Sequence, residues 1–230
     1  MLFRSAPGPI ERHTNTRYTG DPSVEWSQAV CRFGRFRRGL MLGVGSPRAE
    51  MQILETNPEL HLTVVDISAE SVERRLAQLA ARFTGRVDGR AADLNFLELA
   101  PESYDLIVSC GTVHHVTNLE YLAATLNQAL ASDGRLCLQD YVSEPRFAFR
   151  DEKKRLYEIV HDRDIARMSR RRPGVLWRDG SDLSPFCGVR SDEILPVLGR
   201  FLREIEVHTA DALTIPMMRS APAEIGRAHV

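Results

Sequence analysis

An apolar run leads into two closely spaced glycines at Gly39-Leu40-Met41-Leu42-Gly43-Val44-Gly45-Ser46-Pro47. The pattern predicts a strand over residues 39–43 and a helix over residues 48–57, closed by Pro58. Glycines between a strand and a helix let the backbone pass close to a ligand. A NAD-binding fingerprint would carry a third glycine where this chain has Arg48, so the pattern disfavours a dinucleotide. A glycine turn that serves only the fold is the alternative.

Short apolar runs alternate with helix-like segments from Gly39 onward. This alternation is typical of βαβ units around a parallel sheet. The 230 residues, 43% of them hydrophobic, suffice for one such domain. The predicted strands are residues 39–43, 61–66, 86–93, 104–109 and 135–141, and the predicted crossover helices are residues 48–57, 69–82 and 119–130. We expect an α/β fold with a Rossmann-like, doubly wound, mostly parallel sheet and helices on both faces.

The predicted organisation has five parts. Residues 1–38 form an N-terminal helical lid or brace, residues 39–142 the cofactor-binding core, and residues 143–190 an inserted helical cap on the substrate side. Residues 191–223 supply a return helix, with Ser191 as its N-cap, and a sixth strand over residues 204–209. Residues 224–230 resemble the translation of a common sequencing-library adapter. We therefore expect a non-native tail there and a sheet that is truncated before its last strand.

Composition narrows the classes of function. The 30 basic and 31 acidic residues almost balance, which disfavours a nucleic-acid-binding surface. No apolar run reaches the roughly 18 residues of a membrane span, and the first residues lack a secretory pattern, so we expect a cytoplasmic protein. The cysteines are widely spaced, which predicts reduced thiols and no metal site. They are Cys31, Cys110, Cys137 and Cys187.

Acidic residues end the second and third predicted strands. Asp66 stands roughly 20 residues after Gly43, the spacing at which an acid in such folds accepts hydrogen bonds from ribose hydroxyls. Ser68 is better placed than Asp66 to cap the following helix. Asp93 can accept a hydrogen bond from an adenine amino group while Leu94 packs on the ring, although a turn residue is an equal alternative for Asp93.

Together, these motifs resemble class I S-adenosylmethionine (SAM)-dependent methyltransferases. The ordered set is Leu42-Gly43-Val44-Gly45, Val65-Asp66-Ile67-Ser68, Asp93-Leu94 and residues 104–116. The resemblance covers roughly residues 39–142. Within that superfamily the chain is similar to bacterial small-molecule methyltransferases, which share Asp140-Tyr141-Val142 after the fifth strand.

The resemblance implies a cofactor site along the carboxyl ends of the first four strands. Glycines 43 and 45 would lie against the methionine and ribose parts of SAM, with the other contacts made by Asp66 on the ribose hydroxyls, Asp93 and Leu94 at the adenine, and Ser109, Cys110 and Gly111 beneath the sulfonium. Ile67 is a further expected cofactor-binding residue. Two positions depart from the family pattern. Met41 stands where an acid is frequent, and Pro47 stands where a glycine is frequent.

The implied reaction moves a methyl group to a small-molecule acceptor and leaves S-adenosylhomocysteine. It depends mainly on holding the nucleophile, methyl carbon and sulfur in line. If the acceptor is a hydroxyl or an amine, His114 or His115 can act as the base, and the family pattern favours His115. Either histidine can instead be a packing residue. Tyr141, Arg146 and Trp26 are the expected acceptor-binding residues.

Two other functions fit part of the pattern. An NAD(P)-dependent oxidoreductase shares the first βαβ unit and the ribose acid but requires the missing third glycine. A catalytically degenerate, methyltransferase-like binding protein would explain Met41 and Pro47. A metal site built from Cys110, His114 and His115 is disfavoured because it lacks a fourth ligand at the usual spacing.

Overall fold

The structure is a computed structural model that describes residues 8–45, 47–160 and 185–209. Its described sheet has five strands, all parallel, in the order β3-β2-β1-β4-β5. The strands are β1 (Arg38–Leu42), β2 (His61–Asp66), β3 (Val87–Ala91), β4 (Tyr104–Cys110) and β5 (Leu130–Gln139). The strand order reverses between β1 and β4, where open α/β sheets form a ligand crevice at their carboxyl edge.

Helices cover both faces of this sheet. They are α1 (Pro9–Thr19), α2 (Trp26–Ala29), α3 (Pro47–Thr56), α4 (Ala69–Ala80), α5 (Leu119–Ala129), α6 (Asp151–Val160) and α7 (Ile194–Phe201). The Ser68 hydroxyl accepts a hydrogen bond from the Ser71 N–H at 3.2 Å, so Ser68 caps α4 as predicted. The three predicted crossover helices are present, each with bounds within a turn of those expected.

Alternate residues of the central strand β1 face opposite sides of the sheet. Leu40 and Leu42 belong to a buried cluster with residues of α5 and α7. Met41 belongs to a second cluster with residues of α3 and α4. The prediction of a Rossmann-like, doubly wound sheet with helices on both faces is therefore confirmed.

The segment before β1 braces the α3 face. Trp26 is half-buried against the second cluster, and the Ser27 hydroxyl donates to the Gln52 side chain of α3. Arg48 at the start of α3 forms an ion pair with Glu25. These contacts hold α2 against α3.

Two predictions about the C-terminal part are wrong. Ser191 is not the N-cap of a helix, because it lies inside the 3-10 turn Ser191–Glu193, which precedes α7, and Arg190 holds the cap position. Residues 204–209 form no strand: they pair with no described strand and are exposed, so their alternating pattern buries no face. Arg17 of α1 instead donates to the Thr209 carbonyl at 3.0 Å.

Parts of the predicted organisation lie outside the described residues. These parts are residues 1–7 of the lid or brace, residues 161–184 of the cap, residues 210–223 after the return helix, and the tail at residues 224–230. Among the described residues, no helix combines the length and the apolar character that crossing a membrane requires.

Candidate functional site

The glycine turn after β1 is held by its neighbours on both sides. Gly43 has φ +82° and donates to the Val65 carbonyl at 2.7 Å. A Cβ at this position would overlap the Thr112 side chain, so glycine is required by packing as well as by the backbone angle. At Gly45 a Cβ would make only ordinary contact, 3.5 Å from the Cys110 carbonyl oxygen. The open side of the turn is therefore at Gly45.

A buried ion pair supports the same turn from below. Arg75 of α4 donates to both the Gly45 carbonyl and the Glu50 carboxylate, and both charged side chains are almost fully buried. Burial raises the pKa of Glu50, and the charge of Arg75 opposes that rise. Sequence reasoning missed this pair, because α3 and α4 meet only in the folded chain.

Asp66 lies where the sequence predicted, at the carboxyl end of β2. Its carboxylate accepts hydrogen bonds from the Val44 N–H at 2.8 Å and from the Ser68 N–H at 2.9 Å. A carboxylate has lone pairs for about four hydrogen bonds, so it retains capacity for a ligand. The Val44 contact ties this acid directly to the glycine turn.

Of the two apolar side chains expected at the cofactor near the ends of β2 and β3, one is exposed and the other is buried. Leu94 is only 7% exposed and belongs to the first core cluster, whereas Ile67 and Phe96 are each 72% exposed. Asp93 accepts from the backbone and the side chain of Asn95, so it caps the turn Leu94–Phe96. Phe96 was not singled out from the sequence, because its exposure is visible only in the structure.

The end of β4 contains three predicted site residues with different surroundings. Ser109 is fully buried within the sheet, and its hydroxyl has no hydrogen-bond partner in the described part of the chain. Cys110 donates to the Gln139 side chain at 3.3 Å, and burial raises the pKa of its thiol to about 11. Gly111 has φ +64°, and a Cβ there would meet open space. Of the three, Gly111 leaves the most room for a ligand.

Asp140 organises the loop that follows β4. Its fully buried carboxylate accepts from the Thr112, Val113 and Tyr141 N–H groups at 3.1, 2.7 and 2.7 Å. The His114 Nδ1 lies 2.5 Å from Oδ1 of the same group, the oxygen that also accepts from the Tyr141 N–H. Because a carboxylate only accepts, Nδ1 carries the proton of a neutral His114 ring, and Nε2 has the lone pair.

The two adjacent histidines are in different environments. His114 is largely buried and has Asp140 as its partner, whereas His115 is exposed. Their ring centroids lie 4.1 Å apart. The pKa of His115 is lowered, mainly because its ring is partly shielded from water and secondly because His114 lies beside it. The sequence favoured His115 as the base, but the carboxylate that orients an imidazole belongs to His114.

The predicted acceptor-binding residues do not all lie together. Tyr141 stacks on Phe147 with centroids 4.1 Å apart, and the Phe147 ring meets His114 edge-on at 6.2 Å. Tyr141 donates to the Glu144 carbonyl at 3.0 Å, and burial raises its pKa. Arg146 is exposed and donates to the Pro185 carbonyl at 3.3 Å. Trp26 packs against the second cluster instead, on the α3 side of the sheet.

Residues 40–136 match a family model described as a methyltransferase domain. This part of the chain therefore resembles a methyltransferase domain. The resemblance to class I SAM-dependent methyltransferases is thereby confirmed. No curated protein matches the chain.

Solved structures resemble the methyltransferase domain at low identity. YcgJ from Bacillus subtilis is 19% identical over 59% of this chain and 58% of its own, with a TM-score of 0.46. An S-adenosylmethionine-dependent methyltransferase from Mesorhizobium loti is 25% identical over 53% of this chain and 57% of its own, with a TM-score of 0.44. Phosphoethanolamine N-methyltransferase 2 from Haemonchus contortus, in complex with S-adenosyl-L-methionine, is 22% identical over 56% of this chain and 30% of its own, with a TM-score of 0.46. The chain thus spans less than two thirds of each of these proteins.

A short segment from beyond the methyltransferase domain packs onto the His114 loop. Gly188 donates to the His114 carbonyl at 2.8 Å and accepts from the Arg146 N–H at 2.6 Å. Arg190 donates to the Thr117 carbonyl at 2.8 Å and pairs with both oxygens of Glu120. Residues 185–190 therefore belong to the wall of the site, next to Phe147.

Proposed function

We propose that this chain is a SAM-dependent methyltransferase that acts on a small-molecule acceptor through an oxygen or nitrogen nucleophile. The observation that carries the proposal is the His114–Asp140 pair at the carboxyl edge of β4 and β5. It lies in the same crevice region as the glycine turn of β1, since β1 and β4 are neighbours in the sheet.

The described residues fit the cofactor. Gly45 and Gly111 leave space, and Asp66 retains acceptor capacity for ribose hydroxyls. Ile67 and Phe96 offer exposed apolar surface for an adenine ring. SAM supplies a methyl group on a positively charged sulfur, which is why an in-line nucleophile is the main requirement.

The chain's own contribution is to orient the acceptor and to remove its proton. The His114 Nε2 accepts a hydrogen bond from the acceptor's O–H or N–H and, in a chain without a bound metal, receives that proton. Asp140 holds the ring in the required tautomer and stabilises the imidazolium that forms. Tyr141 and Phe147 provide an aromatic wall that keeps water away from the nucleophile.

Calorimetric titration with S-adenosylhomocysteine and with NAD tests the cofactor. We expect S-adenosylhomocysteine to bind and NAD not to bind, because Arg48 replaces the third glycine of a dinucleotide turn. Binding of NAD without S-adenosylhomocysteine would overturn the proposal and support an oxidoreductase.

Turnover is measured as S-adenosylhomocysteine released with a panel of phenols, alcohols and amines. His114→Gln is expected to lower turnover by about 10²–10⁴-fold on any accepted substrate while S-adenosylhomocysteine affinity is retained. The matched control, assayed like His114→Gln after removal of metal with a chelator, is His115→Gln, the exposed neighbour. A larger loss in His115→Gln than in His114→Gln would return the base to the residue that the sequence favoured.

A further inference from the structure

We propose that His114, His115 and Cys187 form a site for one divalent metal ion of the zinc class. Their ligand atoms all lie within 4.8 Å of one another. In a tetrahedral zinc site, with bonds of about 2.0–2.3 Å, ligand atoms are about 3.3–3.8 Å apart. Binding of an ion would draw the ligand atoms together by up to roughly 1.5 Å.

Asp140 prepares one of the three ligands. Its carboxylate holds the Nδ1 of His114, which leaves the Nε2 lone pair for a metal. Metal-binding histidines usually donate their second ring N–H to a carboxylate or a carbonyl in this way, and that contact fixes the ring and raises its basicity. Asp140 is itself held by three backbone N–H groups, so its position does not depend on an ion.

The backbone brings Cys187 to the histidines without help from a metal. The neighbouring Gly188 donates to the His114 carbonyl at 2.8 Å, and Arg190 is anchored on Thr117 and Glu120. Cys187 is buried, whereas His115 is exposed, so the cluster opens to solvent on one side. The sequence predicted no metal because the cysteines are widely spaced and because the set of Cys110, His114 and His115 lacks a fourth ligand at the usual spacing. Cys187 was not considered, since it is far along the chain.

The types and number of the ligands indicate which ion binds and whether it is catalytic or structural. Two imidazoles and a thiolate favour zinc over magnesium or calcium, which prefer oxygen. Three protein ligands with an open fourth position are typical of catalytic rather than structural zinc.

The role of this ion rests on the proposed methyltransferase function. A hydroxyl or thiol that binds in the fourth position loses its proton to solvent at a lower pH than when free. The ion and the proton compete for the same Nε2 of His114. With metal bound, the acceptor class is therefore one that presents a hydroxyl, activated by coordination.

The test uses the full chain after removal of metal with a chelator. Zn²⁺ binding is measured by calorimetry, and Co²⁺ binding by the near-ultraviolet absorption of a cobalt–thiolate bond. We expect one ion per chain and a thiolate band. Cys187→Ser should abolish the band, and Asp140→Asn should weaken Zn²⁺ binding by about 10–100-fold. Cys31→Ser, which changes an exposed cysteine outside the cluster, is the matched control and should bind as wild type.

His115→Gln covers the case in which Cys187→Ser does not fold, because His115 is exposed and its loss leaves the core intact. It should also weaken Zn²⁺ binding. The proposal is overturned if the wild-type chain binds neither ion, or if binding is unchanged in His115→Gln and Cys187→Ser. S-adenosylhomocysteine titrations of the same samples separate the two proposals: metal binding without cofactor binding removes the proposed function alone, and cofactor binding without metal binding removes the metal site alone.

Discussion

Replacing Arg75 by leucine should destabilise the chain strongly and loosen the glycine turn. The substitution leaves Glu50, only 1% exposed, without a cation and removes the donor to the Gly45 carbonyl. Breaking a buried pair by removing one partner costs about 3–5 kcal/mol, because the remaining charge is uncompensated. Urea unfolding of Arg75→Leu should show a loss of this size near neutral pH, and S-adenosylhomocysteine affinity should fall.

The pH dependence of that loss identifies its cause. Burial already raises the pKa of Glu50, and without Arg75 it rises further. A carboxyl group whose folded pKa is above its unfolded value contributes stability below the unfolded pKa, and this contribution is lost as pH rises through the folded pKa. The variant should therefore be closest to wild type in acid and weakest at alkaline pH.

The double variant Glu50→Gln, Arg75→Leu is the control for the buried charge. It carries no uncompensated charge and should recover most of the stability without the pH dependence. A loss below about 1 kcal/mol in Arg75→Leu alone, or an equal loss at all pH values, would show that the pair does not support the turn.

Two further substitutions test the cofactor edge. Asp66→Ala should weaken S-adenosylhomocysteine binding by about 1–3 kcal/mol, the scale for a hydrogen bond to a charged group, and unchanged calorimetric affinity in the folded variant would remove Asp66 from the site. Gly43→Ala should cost about 2–5 kcal/mol in urea unfolding, because it combines a positive φ with overlap on Thr112. Adding Thr112→Gly should restore the part of the unfolding free energy that is lost to the overlap. If it restores none, the whole loss comes from the positive φ.

The strands and the glycine turn were predictable because their signals are local. A buried strand reads as an apolar run, and α4 begins at a serine that can cap it. The sequence placed the start of β5 at residue 135, whereas the strand begins at Leu130. A register irregularity separates Leu130 from Arg135 in the pairing of β5 with β4, so the strand pattern is interrupted there. Residues 204–209 show the limit of local pattern: alternation makes a strand only where another strand supplies partners.

The sequence predicted which residues belong to the site but not which of them contact one another. The sequence singled out both histidines and Asp66, since these follow strand ends. It could not assign Asp140 to His114 rather than His115, because that choice depends on how the turn Val113–His115 orients each ring over the end of β5. Cys187 approaches the same rings only after its segment docks on the His114 backbone.

Thr112 connects the two halves of the site. Its N–H donates to Asp140 at 3.1 Å, while its side chain fills the space above Gly43 that a Cβ would otherwise occupy. Asp140 in turn orients His114, and the Gly43 turn is bonded to Asp66 through the Val44 N–H. A substitution that shifts Thr112 must therefore disturb both the cofactor edge and the imidazole. Because of this physical link, we expect substitutions at Thr112 to change turnover more than the binding of either proposed ligand alone.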